Sequence, residues 1–370
     1  MFKNFILNVI SGKKKGFFAC LIKSFLKLLS FFYGWAISFR NYLYDRRYLP
    51  SYYPPVPLVI SIGNIVCGGT GKTPFTLLLA KALETSGVAL QKVAILSRGY
   101  ASPSEKEKKC TILSRGEGPL YPASFCGDEP YLLSKNFPSV LVFVGANRKE
   151  SAKEAMHLGA QVLILEDGFQ HRSIERHFNI AIVDASNSFG YGELLPRGLL
   201  REPPSALKRA DLVILNHVAS QEHYDQIRKL IEPYSTAPTV GAKPRIEGLY
   251  DRENLVVDLS HSVKVAIFSG IGSPQHFREL LEAEGFVVVD ELISKNHTVP
   301  SDALLAKFAD KACSLGAQAL LCTEKDVVKL TDGYSCSLPI FWIKMDLTLM
   351  YGMKNWTAMV GKMKKLVANI

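Results

Sequence analysis

The stretch that most restricts how this chain can fold is Gly68-Gly69-Thr70-Gly71-Lys72-Thr73. An apolar run precedes it, Val56-Pro57-Leu58-Val59-Ile60-Ser61-Ile62, which reads as a buried strand, and a helix is expected over 73–84. Strand, glycine turn and helix in that order make a phosphate-binding loop. Glycines let backbone N–H groups converge on an anion, and the helix N-terminus adds a favourable dipole. Lys72 then reaches the terminal phosphates and Thr73 can hold magnesium. The common pattern has glycine six residues before the lysine, where this chain has Val66. The loop is therefore a variant, with its glycines displaced into the centre.

A loop of this kind belongs at the edge of a parallel sheet, and the rest of the chain supplies one. Further buried strands are expected at 93–96, 140–144, 162–165, 180–183 and 212–215, separated by helix-like stretches such as 147–158. Short apolar strands alternating with helices form a doubly wound α/β sheet, here a P-loop NTPase-like one. A second, smaller alternation follows: strand 263–268, helix 274–284, strand 287–289, helix 302–315, and strands 319–322 and 340–343. At 370 residues the chain suits two domains and an extra segment. The expected division is an N-terminal segment over 1–50, a P-loop domain over 51–245 and a smaller α/β domain over 246–370, whose last helix can pack back on the first domain. Pro50, Pro54, Pro55 and Pro57 mark the first boundary, because a helix cannot run through them.

The charge is uneven. Of a net +10, residues 1–50 supply most: Lys3, Lys13, Lys14, Lys15, Lys23, Lys27, Arg40, Arg46 and Arg47 stand against Asp45 alone. The remaining chain is close to neutral, which leaves no body-wide basic face and excludes a nucleic-acid partner. The stretch 17–39 is rich in Phe, Leu, Ile, Tyr and Trp, but Lys23 and Lys27 interrupt it. The apolar run after Lys27 is shorter than the ~20 residues a hydrocarbon core needs, and a mid-bilayer lysine costs on the order of 3 kcal/mol. A segment lying on a membrane surface fits better, with Lys13, Lys14 and Lys15 meeting anionic headgroups. A single span and a helix that only packs on the domain are the competing readings. Seven dispersed cysteines, with no C-x-x-C pair and no His-rich spacing, argue against a disulfide framework and against a zinc site.

A phosphate loop needs an acid on the metal side, at the end of another strand. The strand 162–165 ends in Glu166-Asp167-Gly168, which fits. A hydroxyl that attacks phosphate also needs a base, and carboxylate or imidazole both serve. Gly127-Asp128-Glu129-Pro130 and His297 offer these at loop positions, while Arg98 and Arg148 offer charge to neutralise phosphate. Gly270-Ile271-Gly272 lacks the third glycine of a dinucleotide fingerprint, since Gln275 stands there.

Taken in order, these blocks resemble the tetraacyldisaccharide 4'-kinase family of lipid A biosynthesis. The residues that carry the likeness are Ser61-Ile62-Gly63-Asn64 running into the glycine loop and Pro74, then Ser97-Arg98-Gly99-Tyr100, Gly127-Asp128-Glu129-Pro130 and Glu166-Asp167-Gly168-Phe169-Gln170-His171. Leu195-Pro196-Arg197-Gly198-Leu199-Leu200-Arg201-Glu202 and Thr323-Glu324-Lys325-Asp326 follow. The resemblance implies transfer of the ATP γ-phosphate to the 4'-hydroxyl of a tetraacylated disaccharide 1-phosphate, with ATP and Mg2+, at the cytoplasmic face of the inner membrane. By position it implies Asp128 as catalytic carboxylate and His297 as its partner. It gives Gly68, Gly69, Thr70, Gly71, Lys72 and Thr73 to the phosphates, Thr73, Glu129, Glu166 and Asp167 to the metal, and Arg98, Arg148 and Arg201 to phosphates or lipid. Glu166 departs from the family's aspartate, and Asn296 stands where an acid is expected before the histidine. A membrane-positioning P-loop ATPase would carry a signature lysine at Cys67 and its membrane helix at the C-terminus. A soluble small-molecule kinase would have no use for the first fifty residues.

Overall fold

In the computed structural model, which describes residues 2–107, 109–259, 262–294, 300–330 and 336–368, buried apolar strands set the architecture. Thirteen strands form one sheet among the described residues: β1 (Leu58–Gly63), β2 (Val93–Ser97), β3 (Thr111–Arg115), β4 (Leu141–Val144), β5 (Val162–Glu166), β6 (Phe178–Asp184), β7 (Leu212–Asn216), β8 (Thr239–Tyr250), β9 (Val256–Val257), β10 (Lys264–Ser269), β11 (Val287–Ile293), β12 (Ala319–Thr323) and β13 (Ile340–Tyr351). The helices are α1 (Phe2–Ile10), α2 (Phe17–Asp45), α3 (Lys72–Thr85), α4 (Ala123–Cys126), α5 (Asp128–Asn136), α6 (Arg148–His157), α7 (Gln221–Ile231), α8 (Pro274–Ala283), α9 (Asp302–Ser314), α10 (Glu324–Val327) and α11 (Met353–Ala368).

The strand order is β11-β10-β12-β13-β8-β7-β6-β1-β5-β2-β4-β3, with β9 on β8. From β2 to β7 every pairing is parallel, and residues on both faces are buried, so helices must cover both sides. The edge strand β3 is antiparallel to β4. It follows Cys110 in a polar stretch without an apolar run, and the strand expectations above do not include it. Nor do they include β8, whose first residues pair parallel with β7 while the rest runs antiparallel to β13. These two long strands carry the chain into the smaller lobe (β10–β12, α8, α9) and back.

The expected boundary at 245/246 falls inside β8, where the hydrogen-bonded sheet continues without a linker. After β13 the chain returns to the larger lobe: Trp356, Met359 and Met363 of α11 are buried in the core that includes Phe75 of α3 and Leu58 of β1. Trp356 meets Phe75 edge to face at 5.6 Å.

The N-terminal segment is two helices, and α2 is one uninterrupted rod of 29 residues with a mean hydropathy of 1.5 over its most apolar window. By length and composition alone it could cross a bilayer. Its second half is taken, however. Ser30 Oγ donates to Leu194 O at 2.8 Å, Tyr33 OH to Arg201 O at 2.9 Å, and Asn41 Nδ2 to a Glu202 carboxylate oxygen at 2.8 Å. The part outside these contacts, residues 17–29, is ~20 Å long at 1.5 Å per residue, against a hydrocarbon core of ~30 Å. Phe17, Phe18, Leu21, Phe25 and Leu28 are exposed along it, and Phe31, Phe32 and Trp35 continue that exposed face on the side of the second half that is not docked.

Candidate active site

The glycine loop is shaped by two asparagines that hold it from beneath. Asn64 Nδ2 donates to Thr70 Oγ1 at 2.8 Å, and Asn216 Nδ2, at the end of β7, donates to Thr70 O at 3.0 Å. Gly68 (φ 128°) and Gly71 (φ 90°) take left-handed backbone conformations, and a Cβ on Gly71 would lie 2.3 Å from Asn216 Nδ2. Gly71 caps α3 without a side-chain hydrogen bond, so the first turn keeps backbone donors for an anion. Val66, where the common pattern has glycine, bridges to Leu200. Cys67 N donates to Leu199 O, and Arg201 N to Ile65 O, both at 2.7 Å. The segment carrying Leu199, Leu200 and Arg201 is thereby zipped onto the entry of the loop, and this is why a β-branched residue fits at 66.

Across the loop stands the end of β5. Glu166 is 2% exposed; one carboxylate oxygen accepts from Ser97 Oγ at 2.9 Å, and the other, Oε1, is buried without a partner. Burial, then the neighbouring Glu129 and Asp167 carboxylates, push its pKa up to about 7. For Asp167 burial also works against the charge, but Lys72 and Arg201 outweigh it and bring the pKa down to about 2. Arg201 Nη1 donates to both Asp167 oxygens, at 3.0 and 2.8 Å, and Lys72 Nζ lies 3.8 Å from Oδ1. A hard set of carboxylate oxygens with one orphaned buried acceptor fits Mg2+. Glu166, Asp167, Glu129 and the Thr73 hydroxyl are the groups that could hold it.

Arg148 plays a different part from the one expected of it. Buried at the start of α6, it donates to the Glu166 and Asp167 main-chain carbonyls, the latter at 3.2 Å. It fixes the acidic turn, in which Asp167 has φ 48°, and is not among the residues that line the cleft. Arg98 does line the cleft, paired with Glu105 at 2.6 Å beside the exposed Tyr100.

Asp128 and Glu129 open α5 after the left-handed Gly127 (φ 92°). Two lysines of the smaller lobe meet them: Lys329 Nζ pairs with Asp128 Oδ2, and Lys325 Nζ with Glu129 Oε1 at 2.8 Å. The Lys325 charge, followed by that of Lys72, holds Glu129 down at about 2 despite burial. These lysines carried no assigned role in the sequence reading. Lys325 had a signal, since it follows the end of a buried strand on the side where the phosphate loop also sits. His297 lies outside the described residues.

The glycine loop, Lys72, Arg98, Asp128, Glu129, Glu166, Asp167, Arg201 and the two lysines face one cleft of about 2000 Å³, walled by both lobes and by Tyr33, Ile37 and Arg40 of α2. A Cβ on Gly272 of the smaller lobe would be 3.4 Å from Gly69 N, so the far wall comes within van der Waals reach of the phosphate loop.

A family model for tetraacyldisaccharide-1-P 4'-kinase matches residues 22–363. The chain belongs to that family. Among the family's curated members, the tetraacyldisaccharide 4'-kinase of Anaeromyxobacter dehalogenans (strain 2CP-C) is 40% identical over 302 residues, covering 80% of this chain and 78% of the relative. That of Chlamydia abortus is 32% identical over 348 residues, covering 92% and 90%. Among solved structures, the crystal structure of LpxK from Aquifex aeolicus in complex with ATP superposes with a TM-score of 0.69 at 30% identity, covering 94% of this chain and 99% of that one. The family's P-loop kinase fold is the fold seen here.

Proposed function

We propose that this protein transfers the γ-phosphate of ATP to the 4'-hydroxyl of a tetraacyldisaccharide 1-phosphate, a kinase step of lipid A biosynthesis, at the cytoplasmic face of the inner membrane. The observation that carries the reading is a phosphate loop facing the Glu166–Asp167 turn across a cleft that also holds Asp128. The chain's resemblance to kinases named for that acceptor supports the substrate.

The loop amides and Lys72 hold the β- and γ-phosphates, and Arg98 adds charge from the opposite rim. Thr73, Glu166, Asp167 and Glu129 would hold Mg2+, which would supply positive charge against the negative charge that builds during transfer. Asp128 takes the proton of the 4'-hydroxyl as its oxygen bonds to the γ-phosphorus; the bond from that phosphorus to the β–γ bridging oxygen breaks and ADP leaves. Asp128 is paired with Lys329, so that ion pair must loosen or shift for the carboxylate to meet the acceptor. His297 is assigned as the partner of Asp128 by family position alone. Residues 17–29 and the basic residues before them lie on the membrane, and the docked half of α2 holds the cleft beside it.

Incubating the protein with ATP, Mg2+ and the disaccharide monophosphate in lipid vesicles should yield a bisphosphate. Asp128→Ala should lower turnover by about 10²–10⁴-fold with ATP binding retained; near wild-type turnover removes Asp128 from the role of base. A chain lacking residues 1–29 should keep ATP binding and lose access to vesicle-borne substrate. A deletion through residue 40 would be a poorer test, because Tyr33, Ile37 and Arg40 line the cleft itself.

A further inference from the structure

On the cleft, three side chains with no part in the phosphate chemistry converge. Asp184 ends β6, His217 follows directly on β7, and His276 stands in the first turn of α8 in the smaller lobe. The first two are brought together by the sheet, because Asp184 and Asn216 are register partners on neighbouring parallel strands. His217 Nδ1 lies 3.0 Å from Asp184 Oδ1, and His217 is held in a left-handed backbone conformation at φ 60°. Ser186 fixes the carboxylate from behind, through its N–H at 3.0 Å and its hydroxyl at 2.7 Å. The His276 ring centroid is 4.4 Å from that of His217, and its Nδ1 is buried with no hydrogen-bond partner. One ligand atom from each of the three lies within 4.8 Å of the others.

We infer that Asp184, His217 and His276 form a binding site for a divalent transition-metal ion, separate from the magnesium set, that clamps the smaller lobe to the larger. Two imidazoles and one carboxylate are a zinc-type or iron-type donor set, whereas magnesium favours oxygen alone. With metal–nitrogen bonds of about 2.0–2.1 Å, tetrahedral ligand atoms stand ~3.4 Å apart. An ion would therefore take the place of the proton between His217 and Asp184, open that pair slightly from 3.0 Å, and draw in His276, whose buried imidazole nitrogen lacks a partner. Ser186 supplies the outer hydrogen bonds that such sites use to orient a carboxylate. His217 and His276 line the cleft, so a coordination position remains open towards it. Two ligands come from the large lobe and one from the small, and occupancy would fix the angle between the cleft's two walls.

The test uses the nucleotide-free full chain, titrated with cobalt(II) and followed by its visible d–d absorption, then by displacement with zinc. One equivalent should bind with nitrogen–oxygen ligation, raise the thermal midpoint, and persist in Asp167→Asn, which disables the magnesium side. His276→Ala and the better shape match His276→Gln should each weaken binding by more than about 10-fold, as should His217→Ala, with circular dichroism confirming that the variants are folded. Unchanged affinity in the folded histidine variants overturns the inference. So does the absence of any d–d band, or one accompanied by thiolate-to-metal charge transfer, which would place the ion on the free cysteines instead.

Discussion

The molecule contains two strand-to-helix turns rich in glycine, one in each lobe, and they do opposite things with their backbone donors. Between β1 and α3 the turn Gly68-Gly69-Thr70-Gly71 is propped by side chains of Asn64 and Asn216 that bond Thr70, and it leaves the N–H groups at its rim for a ligand. Between β10 and α8 the turn Gly270-Ile271-Gly272 is closed by the protein itself. Gly270 N donates to Asp326 Oδ1 at 2.8 Å, and Thr323 Oγ1 donates to Oδ2 at 2.6 Å, with Asp326 only 1% exposed. Gly68 and Gly71 are left-handed, whereas Gly270 and Gly272 are not. A glycine turn opening a helix is thus an anion site only where no internal carboxylate has filled it. In the first turn the carboxylate, Asp167, stands off and is neutralised by Lys72 and Arg201, leaving the cradle to phosphate.

The largest effect that would break this contrast comes from Lys72. Lys72→Ala should lower kcat/KM by about 10³-fold, read in the bisphosphate assay. A loss under about 10-fold would mean that the first turn is no more a phosphate site than the second. Asp326→Ala comes next and should act on stability instead. It leaves the Gly270 N–H and the Thr323 hydroxyl buried and unpaired, a cost of about 3 kcal/mol, seen as a lower urea midpoint with ATP affinity in the surviving folded fraction unchanged. If ATP affinity falls as much as stability does, the second turn is part of the nucleotide site.

The smallest effect sharpens the same point through pH. Asp167 has its folded pKa lowered to about 2, so its stabilising contribution is present above the ordinary value of 3.8 and is lost as pH falls towards 2. Its loss is worth on the order of 2 kcal/mol, and Asp167→Asn should flatten the acid limb of the metal-free stability profile. Asp326 has its folded pKa raised, with burial as the leading cause and hydrogen bonds from Thr323 and Gly270 opposing it. Its carboxylate costs stability as pH rises from 3.8 through the folded value, the opposite sign. Urea titrations of Asp167→Asn and Asp326→Asn across this range separate them; slopes of equal sign would show that the two carboxylates do not differ in kind.

Much of this was legible from residue order. The strands at 93–96, 162–165, 180–183 and 212–215 appear with ends shifted by a few residues at most, because each is a continuous apolar run that only a strand buried on both faces accommodates. Asp128, Glu129, Glu166 and Asp167 could be proposed because they sit at strand or helix ends beside glycines. Three things were not legible. The strand β3 has no apolar pattern of its own and exists because β4 has a free edge. Arg148 reads as a phosphate ligand on charge and family position, and only its burial and its hydrogen bonds to the Glu166 and Asp167 carbonyls show that it holds the acidic turn. Lys329 looks like an ordinary surface lysine until the smaller lobe is set against α5, where it meets Asp128.

By itself, the order of residues determined the phosphate loop, the parallel sheet around it and the basic, aromatic N-terminus, because these depend on local periodicity, glycine conformation and charge within one segment. Tertiary structure alone decided that the second half of α2 belongs to the cleft wall, that Arg148 faces inward and that Asp184 and His217 meet His276. The first two join separate segments of the larger lobe and follow from its strand order; the third also needs the β8–β13 crossover, which sets His276 of the smaller lobe against the larger.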